Sequence, residues 1–136
     1  MYETFEHTAD LGLRVRAATE EALFADAARG LFSMIVPEMD SVRPTQPREF
    51  AIAGRERDYL LFDWLNELLY TFDSEHLLFS QFDVQLTADG LSATARGEPY
   101  DPGRHHLDHE VKAITYHGLR LERDKDGWLA EMIVDI

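Results

Sequence analysis

From Leu11 the chain alternates: Leu11, Leu13, Val15 and Ala17 share one parity, Gly12, Arg14 and Arg16 the other. That period of two predicts a half-buried strand. Thr19 can cap a helix, and Glu20 and Glu21 suit its positive end. Leu23, Phe24, Ala27, Ala28, Leu31, Phe32 and Ile35 then recur at helical spacing until Pro37 stops the helix. Pro37, Pro44 and Pro47 mark a loop or irregular edge, followed by a short strand around Phe50-Ala51-Ile52. After a charged link from Gly54 to Arg57, a second helix is expected from about Asp58 to Phe72. It is apolar nearly all round, as a helix central to the core would be, or one covering a sheet and a partner at once.

Two hairpins complete the pattern. Phe82, Val84 and Leu86 alternate up to Ala88-Asp89-Gly90, and Leu91, Ala93 and Ala95 alternate on the way back. Glu98 to His109 reads as a polar loop. The last hairpin pairs about 112–123 with 128–135 around Asp126-Gly127. Ile114 and Tyr116 hold one parity, Leu119 and Leu121 the other, so a bulge is expected at Gly118. The order strand, helix, strand, helix and two strand pairs predicts an α+β fold. We expect one domain over 1–136, with two helices packed on a mixed or mostly antiparallel sheet.

Composition narrows the function. Hydrophobic residues make up 45% of the 136 positions, enough for a core, and no segment is low in complexity. With no cysteine, disulfides, zinc–thiolate sites and cysteine nucleophiles are excluded. The start Met1-Tyr2-Glu3-Thr4 lacks a signal-peptide pattern and no apolar run has membrane-span length, so a cytoplasmic protein is expected. A net charge of −13 repels phosphate backbones and argues against a main role in gripping RNA. It suits docking on a basic protein surface or capture of cations, and it also serves plain solubility. The cations are eleven arginines and two lysines, Lys112 and Lys125.

Several residues could carry chemistry. Asp10 precedes the first clear alternation, and Asp135 stands beside Ile136 at the end of the last strand. If those strands are neighbours, Asp10, Asp135 and a terminal oxygen of Ile136 form an oxygen-rich cluster suited to Ca²⁺, Mg²⁺ or Mn²⁺. The alternative is a solvated strand end and a turn aspartate. His7 and His117 lie inside apolar segments, as hydrogen-bonded core histidines do more often than ligands. His105, His106 and His109 cluster in the polar loop, as a transition-metal site or as surface composition. Phe72 to His76 looks like a capping and turn region. No nucleophile elbow, phosphate-binding loop, EF-hand or His-Glu-x-x-His pattern is present.

Five stretches carry a resemblance: Phe5 to Leu13, Trp64 to Tyr70, Gly97-Glu98, Glu110 to His117, and Trp128 to Ile136. In order and spacing the chain resembles the archease family, small acidic proteins that assist an RNA-splicing ligase. The resemblance implies an α+β fold and a protein that is not itself an enzyme. Its implied partner is an RtcB-type RNA ligase of tRNA splicing and RNA repair, which uses GTP and Mn²⁺ and passes through a guanylylated histidine. The family promotes that guanylylation and multiple turnover. Carried onto this sequence, Asp10, Asp135 and Ile136 match a divalent-metal site, with Ca²⁺ foremost. Lys112 matches the motif lysine, and His7, Glu98 and His117 fall in the family's motifs. Two other readings stay open: a general chaperone or adaptor, and a metal-dependent phosphoester hydrolase using the acidic cluster.

Overall fold

The computed structural model describes residues 1–7 and 10–136. Among these residues the strands are β1 (Tyr2–His7), β2 (Asp10–Ala17), β3 (Gln46–Ala53), β4 (Leu77–Thr87), β5 (Gly90–Pro99), β6 (Ala113–Asp124) and β7 (Gly127–Asp135). The helices are α1 (Glu20–Ile35) and α2 (Arg57–Glu75), and a 3₁₀ turn spans Met39–Ser41. The strands form two antiparallel sheets, ordered β1-β2-β7-β6 and β3-β5-β4. The α+β expectation holds, with its strands divided between two sheets. β1 is a strand the alternation did not isolate, because Thr4, Glu6 and His7 leave its two faces poorly contrasted.

Thr19 caps α1 as its sequence suggests, its Oγ1 accepting from the Ala22 amide at 3.1 Å. α1 has ten of its sixteen residues buried against seven of nineteen in α2, so α1 is the central helix. It lies against β4 of one sheet and β2 of the other, while α2 runs chiefly along β6. The continuous apolar row of α2 misleads because its tyrosines point outward: Tyr59 and Tyr70 are both exposed. α2 also begins and ends outside the expected bounds, taking in Arg57 and closing at His76, whose φ of 57° is left-handed.

The core is one continuous cluster joining both sheets to both helices. Its aromatic centre places Phe32 5.7 Å from Phe79 and 5.8 Å from Phe82, with Phe50 edge-on to Trp64 at 5.5 Å. Such pairs add about 1 kcal/mol each beyond burial. Trp64 is fully buried, and its indole N–H donates to the Phe24 carbonyl at 3.1 Å, so burial leaves no donor unpaired.

The expected irregularity in the last hairpin is present and larger than a single-residue bulge. β6 and β7 pair in register up to Thr115–Ile133 and again from Arg120–Glu131, so Tyr116 to Leu119 stand against Met132 alone. An odd number of extra residues reverses the parity of the strand, which explains why the apolar positions switch. Gly118 supplies the φ of 80° that the loop-out requires.

Close sheet packing generates a prediction. A Cβ on Gly97 would fall 1.7 Å from the Leu78 carbonyl oxygen of the neighbouring strand, whereas one on Gly54 would meet only Leu60 Cδ1 at 3.5 Å. Gly97→Ala should therefore cost about 2 kcal/mol in urea unfolding. Gly54→Ala should stay within about 0.5 kcal/mol of wild type.

Candidate functional site

The pairing of the four-stranded sheet gathers the candidate residues at one end. His7 stands directly opposite Asp10 across β1 and β2. β2 pairs with β7 through Leu11–Val134, and the same register carried one residue further sets Asp10 opposite Asp135. On the far side of β7, Ala113 faces Asp135, and the Lys112 amide donates to the Asp135 carbonyl at 2.8 Å. Three strands and the start of a fourth thus bring His7, Asp10, Asp135, Ile136 and Lys112 together.

Parity puts the two aspartates on the face turned away from the helices. Leu13, Val15, Ala130, Met132 and Val134 fill the core, so Asp10 and Asp135 share the opposite face with Gly12, Arg14 and Glu131. On that face the Phe5 ring lies across Gly12, where a Cβ would come within 2.1 Å of it. Arg14 stacks over Phe5 at 4.8 Å and is held by Glu3 at 3.0 Å and Glu131 at 2.5 Å. These two carboxylates raise the guanidinium pKa, and Arg120 reaches Glu131 at 3.6 Å, so the neighbouring row pairs its charges within itself.

The aspartate row has a different balance. Asp10, Asp135 and Ile136 are half-buried, whereas Lys112 and His7 are exposed. Like charges directly opposite on adjacent strands repel, and a bound cation relieves that cost. The donor chemistry, two carboxylates with backbone oxygen beside them, fits a hard divalent cation better than zinc or copper. Among the described residues no three side chains of His, Asp or Glu form a metal cage. Were a cation held there, the pair would contribute two side-chain ligands, and oxygens of Ile136 and solvent would complete the set.

Glu98 and His117 are placed elsewhere. His117 is exposed on the looped-out part of β6. Glu98 belongs to β5, in the other sheet, and is buried, correcting its reading as the start of a polar loop. Its carboxylate accepts from the Arg43 amide at 2.7 Å, from the Arg104 guanidinium, and from His105 Nε2 at 2.9 Å. His105 Nδ1 accepts from the Asp101 amide at 2.9 Å, so the proton of the neutral ring lies on Nε2, facing Glu98.

The three loop histidines are consequently not a group. His105 is 3% exposed and serves Glu98, while His106 faces solvent. Composition cannot choose among three histidines in five residues. The usable signal was the Asp101-Pro102-Gly103 turn, which folds residue 105 back over residue 101: the amides of Arg104 and His105 both donate to the Asp101 carbonyl.

The loop held by Glu98 leads back to the sheet end. The Asp108 and His109 amides donate to the Ile35 and Met34 carbonyls at 2.9 and 3.1 Å, satisfying the end of α1. Val111 is then buried, and Lys112 follows against Asp135. Glu98 thus fixes the path along which Lys112 arrives.

These features define a small acidic α+β protein of two antiparallel sheets, with paired carboxylates at the joined ends of its second and last strands. The chain belongs to the Archease protein family (MTH1598/TM1083), whose model matches residues 2–136. It is 42% identical to the protein archease of Methanopyrus kandleri, covering 99% of each chain. It is 40% identical to that of Pyrococcus abyssi, covering 99% of this chain and 98% of the relative. The solution structure of Methanobacterium thermoautotrophicum protein 1598 superposes with a TM-score of 0.87 at 34% identity, over 99% of this chain and 98% of that one. The Thermotoga maritima archease, called a possible chaperone, shares the fold with a TM-score of 0.69 at 23% identity, over 100% and 98% of the two chains. Among the described residues no helix is long and apolar enough to cross a membrane.

The Glu98 network predicts an acid sensitivity. Burial pushes the Glu98 carboxyl up, but the Arg43 amide, His105 and Arg104 outweigh it and bring it from 4.5 down to about 2. The folded-state value is depressed, so unfolding takes up a proton at low pH. The stabilisation is fully present above pH 4.5 and drains away as pH falls toward 2. Glu98→Gln should lose roughly 2 kcal/mol at neutral pH. Its stability gap to wild type, followed by urea unfolding, should narrow across that acid window.

Proposed function

We propose that this protein is an activator of an RtcB-type RNA ligase in tRNA splicing and RNA repair, working in the cytoplasm and catalysing no reaction itself. Its effect is to promote guanylylation of the ligase and so permit repeated turnover, the GTP and Mn²⁺ being the ligase's own. The observation that carries this reading is the strand register that sets Asp10 opposite Asp135 with His7 and Lys112 at the same sheet end. Membership of the archease family supports it.

Asp10 and Asp135 would hold a divalent cation, Ca²⁺ foremost and otherwise Mg²⁺ or Mn²⁺, with Ile136 contributing an oxygen. Such an ion supplies fixed positive charge where the ligase's phosphate chemistry develops negative charge. Lys112, a compact point charge at the margin of the aspartate row, offsets the anions or contacts a phosphate. His7 flanks Asp10 and can hydrogen-bond whatever docks there, and His117 is presented on the looped-out strand. Glu98 acts through the loop it anchors. The net charge of −13 draws the whole molecule toward a basic, RNA-holding cleft.

A chaperone or adaptor role is the second reading, favoured by the exposed tyrosines on α2. It needs no Asp10, which separates the two. With RNA in excess over the ligase, wild-type protein should convert a stalled single round of joining into many rounds. Asp10→Ala and Asp135→Ala should leave the reaction at about one round. Titration calorimetry should show Ca²⁺ binding to wild type and its loss in both variants. Unchanged turnover with both variants would refute the acidic-site mechanism.

A further inference from the structure

The face of α2 turned away from the core carries an arrangement that the aspartate site does not explain. Tyr59, Asp63 and Tyr70 stand at helical offsets of 0, 4 and 11, a stripe about 16 Å long opposite the buried Leu61, Leu65 and Leu68. Tyr59 and Tyr70 are 52% and 66% exposed, and Tyr116 of β6, which lies beside the stripe, is 38% exposed. Three of the four exposed large hydrophobic residues among those described thus fall on one surface, the fourth being Met1.

Two of these rings, Tyr59 and Tyr116, are held in place. Tyr116 stacks on Tyr59 with centroids 4.9 Å apart and planes 4° from parallel, and Phe62 meets it edge-on at 5.5 Å. The Tyr116 hydroxyl donates to Asp58 at 3.0 Å. The looped-out segment of β6 that begins at Tyr116 frees this residue from the ladder, so its orientation is set by α2. Exposed aromatics already fixed in one conformation lose little entropy when covered, as binding anchors do.

The charge around them identifies what could cover them. α2 carries one arginine against five carboxylates, and that arginine pairs with Glu20 at 3.3 Å. Asp63 and Glu67 are exposed beside the tyrosines. A second copy would oppose like charge with like charge, and RNA would be repelled. The aromatic stripe is interrupted by carboxylates, so it offers no continuous apolar patch for an unfolded chain. Arginine and lysine satisfy both components, by stacking on tyrosine faces and by pairing with the carboxylates.

We propose that the Tyr59–Tyr116 face of α2 and β6 is a docking surface for the basic surface of a nucleic-acid-handling protein. This rests on the activator reading and adds to it the face by which the ligase is gripped. Tyr116 lies three residues along β6 from Ala113, opposite Asp135, about 10 Å away. One partner therefore spans the edge strand, held by the tyrosine face and served by the aspartates.

The test is calorimetric titration of the full-length protein into the organism's RtcB-type ligase, with multiple-turnover joining measured in parallel. Asp63→Lys/Glu67→Lys alters only exposed charges, and Tyr59→Ser removes one exposed ring. Each should weaken binding by ~10-fold or more. Wild-type affinity should fall as salt rises. At saturating concentration both variants should still restore repeated turnover, while Asp10→Ala at the same concentration does not. Wild-type affinity in both variants would overturn the docking face and leave the activator reading intact. No binding or stimulation by wild type would overturn both. If the variants instead convert a wild-type dimer to monomer in sedimentation, the face joins two copies and the proposal fails.

Discussion

Where β2 meets β7, an early strand of the chain lies antiparallel to its last, and the step from Leu11 to Val134 decides what each face of the sheet presents. A slip of β2 by one residue would turn Leu13 and Val15 into solvent and draw Asp10 toward α1, off the face that Asp135 keeps. The apolar face therefore enforces the register, and the register places the carboxylates. The aspartates need no dedicated machinery to find each other: the core aligns them from the other side of the sheet.

A second buried contact works alongside this one. Glu98 ties the chain at Arg43 to the loop at Arg104 and His105, and that loop closes the end of α1 before it reaches Lys112. The charge is confined by paired donors, which is how a buried carboxylate is tolerated. The lysine at the sheet end is thus positioned by an ion network in the opposite sheet. Disturbance at Glu98 would reach the candidate site through backbone.

Much of this was legible in the sequence, for identifiable reasons. Period-two alternation located β2, β4 and β5 because one face of each meets the core, and Thr19 announced α1 because capping is local chemistry. The parity switch at His117-Gly118 exposed the irregular strand. What escaped was nonlocal. Nothing in the Arg57–Glu75 row of apolar residues tells that Tyr59 and Tyr70 face outward, because that depends on where both sheets lie. His105 could not be separated from His106 without knowing that Glu98 is buried. The Asp10–Asp135 approach was conditional on the first clear strand and the last being neighbours, a question of topology that spacing leaves open.

The looped-out stretch of β6 has a consequence of another kind. β6 is an outer strand of its sheet, with an unpaired side available to any chain that approaches in extended form. Between Thr115 and Arg120 its ladder is broken by residues that have no place in a regular pairing, and Gly118 turns the backbone off the strand path. An incoming strand would lose register after a few residues, so the edge is a poor template for continued growth. The same irregularity that presents Tyr116 thereby guards the protein against aggregation, letting an exposed aromatic sit on a sheet margin without seeding fibrils.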